Sequence, residues 1–261
     1  MDYVITLPNM IILFALVFFA GVVDSVAGGG GIITVPAFMF VGLPAHYAIG
    51  SNKVTVSFGT FLATMRFWKN KSIEIKIALI SAIASFISGY IGSTVALHIS
   101  DDVLKKIILF TLPVVAVVIL TKREFGDENS SAGIEKKKAY ILAFIIGIMI
   151  GFYDGLIGPG TGTFAIIAYC IIMKYDLKTA SGNAKVLNSA SCISSAIRYV
   201  ISGKVVYAVA IPAVIFSLLG NYIGSGLAIK KGASFIKPMM IVVIVLLFSK
   251  ILFQDILQII L

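Results

Sequence analysis

Two glycine-rich interruptions inside long apolar runs constrain this chain more than any other feature. The first reads Gly21-Val-Val-Asp-Ser-Val-Ala-Gly-Gly-Gly-Gly31, and a worn second copy reads Gly151-Phe-Tyr-Asp-Gly-Leu-Ile-Gly-Pro-Gly-Thr161. Each places one carboxylate, Asp24 or Asp154, four residues before a glycine break. Broken backbone at membrane depth leaves polar groups without partners unless protein or a polar cavity surrounds it. Matching breaks in two halves of a membrane chain therefore point to a transporter's binding site.

Composition supports a membrane setting. Of 261 residues, 59% are hydrophobic and 13% charged, against roughly 25% charged in soluble domains. A mean hydropathy of +1.04 identifies an all-α polytopic membrane protein. The net charge of +9 reads as lysines and arginines on the cytoplasmic side. No basic helix with interleaved aromatics points to nucleic acid. The first apolar run, 7–23, lacks a basic leader and has a mid-chain counterpart, so it reads as a retained membrane element, not a signal peptide. Cys170 and Cys192 lie in apolar segments and read as small buried hydrophobes.

The likeness between halves extends beyond the breaks. An offset of 130 residues aligns Gly21, Asp24, Gly28 and Gly30 with Gly151, Asp154, Gly158 and Gly160. An offset of 132 aligns Gly50, Lys53, Val54 and Arg66 with Gly182, Lys185, Val186 and Arg198, and Tyr90-Ile-Gly-Ser93 with Tyr222-Ile-Gly-Ser225. The expected organisation is one integral membrane domain: a first repeat over 1–120, a cytoplasmic linker over 121–138 and a second repeat over 139–261.

Each half has five apolar segments: 7–23, 32–43, 54–68, 75–97 and 103–120, then 139–153, 162–173, 186–201, 205–229 and 238–253. A spanning helix needs roughly 20 apolar residues, so the second segment of each half is too short to cross alone. It is either a short tilted helix or the returning arm of a Gly-broken, re-entrant hairpin; we expect the hairpin. Basic clusters at Arg66 to Lys76, Lys122 to Lys138, Lys174 to Lys178 and Lys230 to Lys237 all fall inside if each hairpin returns to its own side. Both termini then lie outside and the repeats are inverted. If each broken pair crosses once, the repeats are parallel and the 230–237 cluster falls outside; the lysine pattern favours inversion.

Lys53 and Lys185 are expected about one turn into largely apolar helices. A lysine at membrane depth costs about 2.5–3.5 kcal/mol on insertion scales. Each lysine either snorkels to the headgroups, faces an anionic substrate, or neutralises Asp24 or Asp154. The short helices starting near Gly30 and Gly160 offer unpaired N–H groups and a positive dipole end to an anion. We therefore expect a substrate site from Lys53, Lys185, Ser51, Asn52, Asn183, Gly29, Gly30, Gly31, Gly160, Thr161 and Gly162. Ser25, Thr34 and Thr163 are further neutral hydrogen-bonding candidates. Asp24 and Asp154 have three open roles: capping the break, pairing with a lysine, or carrying a coupling proton. The glycines of 89–93 and 220–226 read as close helix packing. His46, in a Leu-Pro-Ala-His loop, and His98, at a helix end, are assigned no role.

No H-E-x-x-H or phosphate-binding loop pattern appears, so no metal, cofactor or ATP hydrolysis is expected and the chain does not read as an enzyme. A secondary carrier or a passive anion channel remain.

Val23-Asp-Ser-Val-Ala-Gly-Gly-Gly-Gly31 with Pro36, Gly42 and Ala48-Ile-Gly-Ser-Asn-Lys53 resembles the TauE/SafE sulfite exporter family, also called the toluene sulfonate uptake permeases. Gly158-Pro-Gly-Thr-Gly162 and Gly182-Asn-Ala-Lys185 resemble that family's second repeat. Ser51 stands where the family commonly has threonine, and Thr161 where glycine is frequent. The resemblance implies a multi-pass carrier in a bacterial or archaeal inner membrane. Its expected substrates are sulfite, sulfonates or sulfoacetate-like anions, with protons as the candidate coupling ion. The rival substrate class is a carboxylate or another small anionic metabolite.

Overall fold

The computed structural model describes residues 6–104, 106–107, 126, 128–236 and 238–239. Most of the fifth apolar segments, 103–120 and 238–253, and most of the first part of the linker lie outside the described residues. The described residues include eight α-helices with both ends described and a short 3-10 turn, with no strand among them. In chain order the helices are α1 (Leu7–Ala27), α2 (Gly31–Phe40), α3 (Ala45–Lys69), α4 (Ile75–His98), α5 (Lys136–Leu156), α6 (Thr161–Ile172), α7 (Leu177–Ile201) and α8 (Tyr207–Lys231).

Length and composition separate these helices into three kinds. α1, α4, α5 and α8 are long and apolar enough to cross a membrane. α2 and α6 have 10 and 12 residues, far short of a span. Each doubles back after its break: Phe38, near the end of α2, shares one apolar cluster with Leu13 and Val17 of α1. Tyr169 and Met173, at the far end of α6, share another with Ala143 and Ile146 of α5.

α3 and α7 form the third kind. Each has 25 residues, about 37 Å of helix, but buries a polar stripe. The apolar segments 54–68 and 186–201 capture only their later parts. Both helices start earlier because Gly50-Ser-Asn-Lys53 and Gly182-Asn-Ala-Lys185 are buried against neighbouring helices, where hydrogen-bonded helix satisfies their backbone. Asp176 caps α7 by accepting from the N–H groups of Lys178 and Thr179, both at 3.0 Å. His46 is therefore not in a loop but in the first turn of α3. Its backbone N–H donates to Asp101 Oδ1 at 2.9 Å, and its Nδ1 lies 2.7 Å from the same oxygen.

The small residues of α4 and α8 do bring helices close. A Cβ at Gly92 would overlap Phe152 O of α5, and one at Gly220 would overlap Phe18 O of α1. Such contacts let α4 lie along α5 and α1 along α8, with α3 and α7 packed between them. The polar stripes of α3 and α7 are thereby held inside the bundle, facing the two breaks.

Candidate functional site

The first break begins where α1 ends. Gly28 takes a left-handed conformation (φ 76°) and its N–H donates to Asp24 O at 2.8 Å, a short helix-ending contact that glycine permits at little cost. The second break runs from Ile157 to Gly160. Tyr153 Oη donates to Pro159 O at 2.6 Å and Thr161 Oγ1 to Gly158 O at 2.6 Å, pinning the turn from inside.

The two breaks touch. A Cβ at Gly28 would overlap the backbone of Gly162, and a Cβ at Gly162 would overlap Gly28. Thr163 Oγ1 donates to Ala27 O at 2.7 Å, so the start of α6 is bonded to the end of α1. Gly31 faces Pro159 in the same joint.

Both lysines lie more than two turns into their helices, and both end on carboxylates. Lys53 Nζ sits 2.8 Å from Asp154 Oδ2 and donates to Asp154 O at 2.6 Å. Lys185 Nζ sits 2.7 Å from Asp24 Oδ2. With exposures of 2% and 0%, neither lysine snorkels. The pairing is crossed: Lys53 of α3 binds the carboxylate of α5, and Lys185 of α7 binds that of α1. The ends of α1 and α5 carry unpaired carbonyls and a negative dipole end, which a lysine complements. Two lysines and two aspartates leave the cluster without net charge.

A cavity opens beside Lys53. It is lined by Asp24, Gly28, Gly31, Asn52, Asp154 and Gly158, with Asn188 and Cys192 of α7. Its free volume is about 20 Å³, room for roughly one water. Asn52 Oδ1 is buried there with no hydrogen-bond partner, a group that costs free energy until something pairs with it. Cys192 Sγ approaches Asn188 Oδ1 at 3.0 Å and Asp154 Oδ2 at 3.6 Å.

Several expected site residues stand away from this cavity. Ser51 Oγ accepts the Val206 N–H at 3.0 Å, and Asn183 Nδ2 donates to Thr179 O at 2.8 Å. Gly29, Gly30, Gly160, Thr161 and Gly162 build the joint without lining the cavity. A Cβ on Gly30 would press on Asp24, and Thr34 Oγ1 donates to Gly30 O at 3.2 Å. Asn188 and Cys192 were missed. They follow Lys185 at spacings of three and seven, as Val56 and Thr60 follow Lys53, which puts each set on one helix face; projecting α3 and α7 from their lysines finds them.

A family model described as "Sulfite exporter TauE/SafE" matches residues 13–251. The chain is similar to the "Probable membrane transporter protein YfcA" of Escherichia coli (strain K12), at 30% identity over 94% of this chain and 90% of the relative. It is also similar to the "Probable membrane transporter protein ORF9" of Sinorhizobium sp, at 32% over 92% and 91%. A "Probable membrane transporter protein" of Haemophilus influenzae shares 28% identity over 94% of each chain. No solved structure matches.

Proposed function

The chain belongs to the TauE/SafE sulfite exporter family, a family of multi-pass cell-membrane transporters, and on that premise we propose that it is a secondary transporter of small sulfur-containing anions. Sulfite, sulfonates and sulfoacetate-like compounds are the substrate class, and the joint between the two breaks is the site. The observation that carries this reading is the crossed pair of buried lysines and aspartates bridging the two breaks.

In this reading the chain is two inverted repeats, 1–120 and 139–261, joined by a cytoplasmic linker over 121–138. The reciprocal packing of α1 on α8 and α4 on α5 supports it. So do the arginines: Arg66 of α3 donates to Tyr222 O of α8, and Arg198 Nε of α7 donates to Thr94 Oγ1 of α4 at 2.9 Å. Each repeat contributes a lysine helix to the other's break. Rocking of one repeat against the other would then part Lys53 from Asp154 or Lys185 from Asp24, expose the site to one side and widen it for an oxyanion.

Charge neutrality sets the coupling. An anion received by Lys53 displaces Asp154 as its partner and adds one negative charge to a cluster that had none. Uptake of one proton on that carboxylate restores neutrality in a medium where unpaired charge is expensive. The proton is accordingly the coupling ion. The partly built polar wall around Lys53, with Asn52 and the glycine backbone, supplies neutral donors for the remaining oxygens.

The test is counterflow of labelled sulfite, methanesulfonate and acetate in proteoliposomes. Saturable, proton-coupled exchange of the two sulfur anions is expected, with acetate a poor competitor. Full transport by a Lys53→Ala/Lys185→Ala variant would sink the mechanism, and unsaturable flux would make the protein a channel.

A further inference from the structure

A second cleft lies far from the lysine–aspartate cluster, at the rim where α4 and α5 begin. It measures about 490 Å³ and is lined by Glu74, Lys76, Lys136, Tyr140, Met173 and Tyr175 among others. Among the described residues neither Lys76 nor Lys136 makes an ion pair. No side chain caps either helix start, so both leave orphan N–H groups at this rim. Tyr175, in the α6–α7 connection, is 4% exposed and its hydroxyl hydrogen-bonds to no described residue. Burial and then the Glu74 carboxylate push that hydroxyl up to about 12, so it stays a donor at any physiological pH.

Below the rim the surface turns apolar on the same helix faces. Lys76 is followed at helical spacing by the exposed Leu79 and Ile83, and Lys136 by the exposed Phe144. A ligand with an anionic head and apolar tails matches both parts. Two lysines and one glutamate leave a single positive charge, the complement of one phosphodiester, and Glu74 can accept hydrogen bonds from the hydroxyls of a polyol head.

We infer that this cleft holds the headgroup of an anionic glycerol phospholipid, phosphatidylglycerol in type, with its phosphate between Lys76 and Lys136 and its chains along α4 and α5. Basic pockets at the membrane surface recognise such heads, with about 1 kcal/mol from each lysine.

Native mass spectrometry of the full chain, released from detergent with equal phosphatidylglycerol and phosphatidylcholine, tests this. Retained phosphatidylglycerol should exceed phosphatidylcholine by about fivefold, the effect of one net positive charge. Lys76→Ala/Lys136→Ala should abolish the excess, while Lys76→Arg/Lys136→Arg and Lys230→Ala/Lys231→Ala keep it. Equal retention of the two lipids would overturn the site, as would an excess that survives the alanine pair. Displacement of the lipid by equimolar glycerol phosphate would overturn it in favour of a soluble anion. A monodisperse alanine variant that also loses the charge-conserving rescue would reduce the lysines to structural parts and equally overturn it.

Discussion

Lys185 reaches from α7 to Asp24 on α1 and pairs with it at 2.7 Å, fastening one glycine break to a helix from the other end of the chain. The same bond in mirror arrangement, Lys53 with Asp154 at 2.8 Å, fastens the other break.

Removing one partner of such a pair leaves an uncompensated buried charge, worth about 3–5 kcal/mol. Lys185→Met should therefore lower the melting temperature in detergent sharply, and Asp24→Asn should do the same. The Lys185→Met/Asp24→Asn double variant should recover most of that stability and none of the transport. A double variant as unstable as either single would show that the pair is not an isolated couple.

The contact between the breaks predicts a graded glycine series. Gly28→Ala adds a Cβ against the Gly162 backbone in a left-handed conformation, so it should cost about 1–3 kcal/mol of overpacking beyond roughly 1–2 kcal/mol of backbone strain. Gly162→Ala meets the same contact without a left-handed backbone, so it should cost the overpacking alone. Gly203→Ala, at φ 66° with nothing within 4 Å, should show the strain alone. Equal melting temperatures for Gly28→Ala and Gly203→Ala would refute the contact.

Thr163→Val removes the hydroxyl that bonds Ala27 O and keeps the shape. A loss of about 1 kcal/mol is expected, together with a changed transport rate, because the bond joins the two arms that must move. Ser51→Ala should lower stability by a similar amount through the freed Val206 N–H and leave the apparent substrate affinity unchanged. A several-fold change in affinity would return Ser51 to the site.

Cys192 lines the cavity and Cys170 does not. In a Cys170→Ala background, saturating methanesulfonate should slow alkylation of Cys192 by iodoacetamide several-fold. Unchanged labelling across the concentration range that saturates transport would place the substrate elsewhere.

Much of this was legible in the residues. The glycine breaks and the shortness of the two helices after them follow from local chemistry: glycine ends helices and a dozen residues cannot span. The apolar runs put the lysines about one turn in, with snorkelling open, whereas they lie more than two turns in. The full extent of α3 and α7 was not legible, since counting apolar residues stops at Ser51-Asn52-Lys53 and at Asn183, whereas burial against neighbours carries the helix through them. The same limit hid Asn188 and Cys192, which matter only because their face of α7 meets the cavity.

By itself, the sequence determined that two glycine breaks each follow a carboxylate by four residues and that two lysines stand in largely apolar helices, each costly alone in a bilayer. Whether the lysines snorkel, meet a substrate or pair with the carboxylates was left open. Which lysine serves which carboxylate was left open, as Asp24 and Asp154 present the same local pattern. The tertiary structure decided that: α7 passes the end of α1 and α3 passes the end of α5, so each pair forms across the molecule, because only these partners come within hydrogen-bond reach of each other. It also set each lysine on a carboxylate, and so closed the two breaks into one joint.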